Sequence, residues 1–165
     1  MAEAPHASVV AEYARRHVRL GWWALFVFAA AGLVLESFHG FKVRAYLDVS
    51  NETRRLMWRL AHAHGTALGI VNIVFGLSVR AMPEMLGAHD RIISYSLVGA
   101  TVLLPAGFFL WGLGVFGGDP GLGVLVVPIG AGLLLTALFS IAHSTVPRTS
   151  TSDTSGSSRQ RRSKH

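Results

Sequence analysis

Cysteine is absent from this chain of 165 residues, which excludes disulfides, iron–sulfur clusters, thiolate zinc sites and thiol catalysis. Charge is scarce too. Asp, Glu, Lys and Arg make up 15% of the residues against 51% hydrophobic, whereas soluble domains carry about a quarter charged residues. Acidic residues are the scarcer sign, nine against fifteen basic, giving a net charge of +6. No Walker loop, dinucleotide fingerprint, nucleophile elbow or zinc-protease motif occurs, so the glycines of the apolar runs read as packing glycines. Any metal or haem has only histidine, carboxylate and methionine to hold it. The positive charge sits at the ends and in the loops, which favours an anionic membrane surface over nucleic acid as its counterpart.

What the chain does contain is four long apolar runs, at about 20–40, 59–79, 92–118 and 122–142, each near the roughly 20 residues needed to cross a bilayer. They predict an all-α integral membrane protein, a four-helix transmembrane bundle of up-down-up-down order over 20–143. Residues 1–19 read as a basic N-terminal segment and 144–165 as a disordered basic tail. A cleaved signal peptide is the rival reading of the start, disfavoured because the apolar run continues past Ala29-Ala30-Ala31. Basic residues near the spans sum to ten on the side of the termini and five on the other. The positive-inside rule therefore predicts a multi-pass protein of the cell (inner or plasma) membrane with both termini cytoplasmic.

The second run, Arg59 to Arg80, carries the polar residues that a plain anchor does not need. Helical spacing places His62, Gly65, Gly69, Asn72 and Gly76 on one stripe and His64, Leu68, Val71 and Phe75 on another. The glycine stripe predicts close approach of a second helix, with Asn72 bonding across the contact. In the fourth run Pro128, Gly132, Thr136, Ser140 and His143 share a face, which by the same argument reads as a packed interior side.

The end of the first run and the start of the second lie on one side of the membrane. With spans at 20–40 and 59–79, Glu36, His62 and His64 fall roughly 7 to 11 Å from the midplane, and His39 lies a turn further out on the face of Glu36. These four form the candidate site, with Glu36 expected to pair with His62. A thinner set, His89, Tyr95 and His143, marks the opposite surface.

Arg59-Leu-Ala-His-Ala-His64-Gly65-Thr66 resembles the helix of haem-copper oxidase subunit I that carries a low-spin haem ligand, where histidine is followed by glycine and often threonine. The resemblance implies His64 as an axial ligand of a b-type haem and Gly65 as the residue that lets the porphyrin approach the backbone. His39 is then the partner available from the first helix, with His62 and Glu36 beside it. It covers about ten residues, and the copper-site histidines have no counterpart. Two function classes follow. One is a small haem-binding or redox accessory protein, associated with a respiratory complex. The other is a non-enzymatic membrane protein whose Glu/His layer is structural or meets a partner subunit.

Overall fold

The computed structural model describes residues 3–48, 52–87, 89–114 and 121–145. Residues 49–51, residues 115–118 of the third apolar run, residues 119 and 120 and the tail from 146 lie outside the described residues. The described residues are helical, with α1 Glu3–Gly40, α2 Arg44–Leu47, α3 Glu52–Ala81, a 3₁₀ turn Pro83–Met85, α4 Asp90–Gly114 and α5 Gly123–Ser144. Four of these helices are long and apolar enough to cross a membrane.

Helix α1 starts well ahead of the apolar run, because nothing between Pro5 and Gly21 interrupts it. Pro5 falls in the first turn, where its missing N–H costs nothing, and Glu12-Tyr-Ala-Arg-Arg-His-Val-Arg continues the helix into the apolar segment. At 38 residues it is about 57 Å long, nearly twice the hydrocarbon thickness. It ends where Lys42 takes a left-handed conformation, φ 53°. The basic stretch and the first span are thus one element.

The long helices pack in the row α1, α3, α4, α5, each antiparallel to the next. Gly21 of α1 lies against Gly69 and Ile73 of α3, Gly32 against His62, and Gly76 against Ala14 and Val18. Asn72 of α3 reaches Thr101 of α4, and Arg54 reaches the Gly112 carbonyl. Gly123 of α5 fits against Gly107 and Trp111, and Gly130 against Leu104. Half of the most apolar window of α4 is buried, against 11% for α1 and for α5, so α3 and α4 are inner helices and the other two are outer ones.

Two expectations are corrected by this packing. The face of α5 carrying Pro128, Gly132, Thr136 and His143 is exposed, and a Cβ on Gly132 would meet nothing within 4 Å. The buried face is instead Gly123, Gly130 and Ala137, which recur every seven residues. The second correction is the register of α1 on α3. Gly32, one helical turn before Glu36, stands opposite His62.

Candidate functional site

Close approach at Gly21, Gly69 and Gly76 sets that register. A Cβ on Gly21 would come within 2.5 Å of the Gly69 carbonyl oxygen and 2.9 Å of the Ile73 nitrogen, and one on Gly76 within 2.9 Å of the Ala14 carbonyl oxygen. Backbone cannot yield as a side chain does, so these contacts place the two helices. They carry His17, in the stretch read as a basic N-terminal segment, to the level of Asn72.

His17 is fully buried, as are Asn72 and Ser94. Its Nδ1–H donates to Asn72 Oδ1 at 2.8 Å, and its Nε2 accepts from the Ser94 hydroxyl at 2.8 Å. The Asn72 amide donates to Thr101 Oγ1 and to the Leu68 carbonyl, both at 2.8 Å, and the Thr101 hydroxyl donates to the Leu97 carbonyl at 2.7 Å. Phe75 stands edge-on to the imidazole, with centroids 4.8 Å apart. This assignment of ring tautomer and amide orientation gives every donor an acceptor. One chain of hydrogen bonds, surrounded by apolar side chains, therefore joins α1, α3 and α4. Left unpaired, each of those groups would cost about 1–3 kcal/mol.

The glycine stripe of α3 faces inward as expected: Gly65, Gly69, Asn72 and Gly76 are all buried, with Gly65 against Phe28. Within the Glu/His layer the outcome is different. His62 Nδ1–H donates to the Phe28 carbonyl at 2.6 Å, which the ring reaches because Gly32 has no side chain to keep it off α1. Glu36 is exposed and is not the partner of His62. His64 Nδ1–H donates to the Leu60 carbonyl of its own helix at 2.9 Å, and its ring lies 4.7 Å from that of Phe108 on α4. His39 is exposed on α1. His62 thus faces α1 and His64 faces α4, and the four side chains are not gathered round one point. Among the described residues no group of three or more His, Asp or Glu has the geometry to hold a metal ion.

At the opposite end Tyr95 is exposed beneath the guanidinium of Arg16, 5.2 Å from its centroid. His143 is exposed and stacks on Phe139, and His89 is exposed at the start of α4. Near the Glu/His layer Tyr46 of α2 is buried between Phe38 and Trp58, and Trp58 stacks in turn on Phe109. Short α2 thus caps this end.

His17, Ser94 and Thr101 were not legible as a site, although a signal for His17 exists. Val10, Ala14, His17, Gly21 and Ala24 recur at alternating spacings of four and three and are all buried, a seam that crosses the hydropathy boundary at residue 20.

Comparison with protein-family models, curated proteins and solved structures gives no match to this chain.

Proposed function

We propose that this chain is a structural subunit of a cell membrane, a multi-pass protein with both termini cytoplasmic that meets a partner subunit and does no chemistry in its interior. The observation that carries the reading is the closed cluster of His17, Asn72, Ser94 and Thr101, whose donors and acceptors are consumed in joining three helices. Such a cluster fixes one packing out of several that apolar faces alone would allow. The exposed face of α5, small at Gly132 and polar at Thr136, is the side on which another membrane helix would lie. The membrane part of the reading is tested by cysteine labelling, since the chain has no cysteine of its own. Single cysteines at Leu122 and Thr145 are expected to react with an impermeant maleimide from opposite sides, Thr145→Cys from the cytoplasm. Reaction of both from one side contradicts it.

A second reading, a b-type haem or redox accessory protein, is favoured by one observation. His62 and His64 both commit Nδ1–H to backbone carbonyls, which fixes the tautomer and leaves Nε2 with its lone pair, the arrangement usual for ligating histidines. In the described packing, however, Phe108 lies beside the His64 ring, and His39 is exposed on another helix, so these residues do not fit a porphyrin without movement of α4. An absorption spectrum of the purified protein separates the readings. The structural reading expects no Soret band and no uptake of added haem. A Soret band with sharp reduced α and β bands, abolished by His64→Ala and retained in His62→Ala, supports haem.

A further inference from the structure

Between the N-terminal half of α1 and the end of α3 lies a groove of about 1410 Å³. Its floor is apolar, built by Val10, Ala14 and Val18 with Leu77 at its side, and its rim carries Arg15, Arg16, Arg19 and Arg80, with Glu12 as the acidic residue among them. All four arginines are exposed. Arg16 leans on Tyr95, and among the described residues Arg15, Arg19 and Arg80 have no carboxylate partner. Beyond Arg19 the surface continues along α1 as Trp22, Trp23 and Phe26, which line a second, shallower depression with it and expose about three-fifths of their area.

We propose that this groove binds an anionic phospholipid, with the phosphate of the headgroup among Arg15, Arg19 and Arg80 and an acyl chain along the apolar floor towards Trp22 and Trp23. The inference rests on the membrane reading above. A guanidinium matches a phosphate with two parallel hydrogen bonds and stays charged in a poorly hydrated setting. Unpaired arginines above an apolar floor fit an anion that brings its own hydrocarbon, as basic pockets between membrane helices do. Trp22 and Trp23, one to two turns further along α1 than the arginines, continue the apolar surface along which the acyl chain runs. A soluble anion would use the rim and leave the floor uncovered.

The test is native mass spectrometry of the full chain released from vesicles of equimolar phosphatidylcholine and phosphatidylglycerol. Phosphatidylglycerol is expected to be retained over phosphatidylcholine by roughly five-fold or more, on the basis of about 1 kcal/mol per basic residue. The preference should fall to near unity in the triple variant Arg15→Gln, Arg19→Gln, Arg80→Gln, persist in Arg59→Gln at the other end, and survive added inorganic phosphate. Circular dichroism identical to the unsubstituted chain shows that the triple variant is folded. Equal retention of the two lipids, a preference unchanged in the triple variant, or loss of the preference to inorganic phosphate overturns the lipid site. A chain that does not float with phosphatidylcholine vesicles overturns the membrane reading instead.

Discussion

Replacing His17 with alanine is expected to destabilise the protein by about 2 to 4 kcal/mol, read as a lower midpoint of thermal or denaturant unfolding in detergent. The imidazole is fully buried and makes two hydrogen bonds of 2.8 Å. Its removal leaves Asn72 Oδ1 and the Ser94 hydroxyl without partners in a site that water does not reach, and it opens a void beside Phe75. Ser94→Ala alone should cost about 1 kcal/mol, since it removes one of those bonds. The double variant His17→Ala, Ser94→Ala should then be milder than the sum of the two, because both changes break the same contact. A His17→Ala protein as stable as the parent would mean that the ring sits in water or among headgroups.

An effect of the same size is expected from Gly21→Leu. A Cβ at this position already comes within 2.5 Å of the Gly69 carbonyl oxygen and 2.6 Å of Ile73 Cγ1, so a leucine fits only if α1 moves away from α3. That separation would break the His17–Asn72 bond and the seat of His62 on Gly32 together. We expect a loss of about 3 kcal/mol or failure to fold, measured by the same unfolding transition. Gly132→Leu is the matched control. It adds the same side chain to α5 where nothing lies within 4 Å, and its stability should stay within about 0.5 kcal/mol of the parent.

Composition and spacing carried the four helices and the inward stripe of α3, because both depend on local periodicity. Gly65, Gly69, Asn72 and Gly76 share a face whatever the rest of the chain does, and all four are buried. The partners across that face are a question of register, which hydropathy measures poorly. Counting depth from the edges of the apolar runs aligned Glu36 with His62. Glycine contacts set the actual alignment, one turn back at Gly32, and they bring in His17 from a stretch whose arginines made it read as a basic segment ahead of the first span. The same arginines are exposed on the outer side of the helix that buries His17, so one segment is a basic surface and a packed seam at once. Helix α5 shows a different ambiguity. It has two small-residue faces, Gly123–Gly130–Ala137 and Pro128–Gly132–Thr136, and spacing cannot choose between them. The first is buried because Gly107, Trp111 and Leu104 of α4 come close to it.

The register of α1 on α3 decides whether His17 or Glu36 belongs to the polar interior, and paired cysteines in this cysteine-free chain measure it directly. Two double variants are compared in native membranes under mild oxidation, Gly32→Cys with His62→Cys and Glu36→Cys with His62→Cys. The contact of Gly32 with the His62 ring predicts efficient disulfide formation in the first pair, seen as an intact chain of increased electrophoretic mobility that reverts on reduction, and little in the second. Efficient closure of the Glu36 pair with none in the Gly32 pair would contradict the register and remove His17 from the interior.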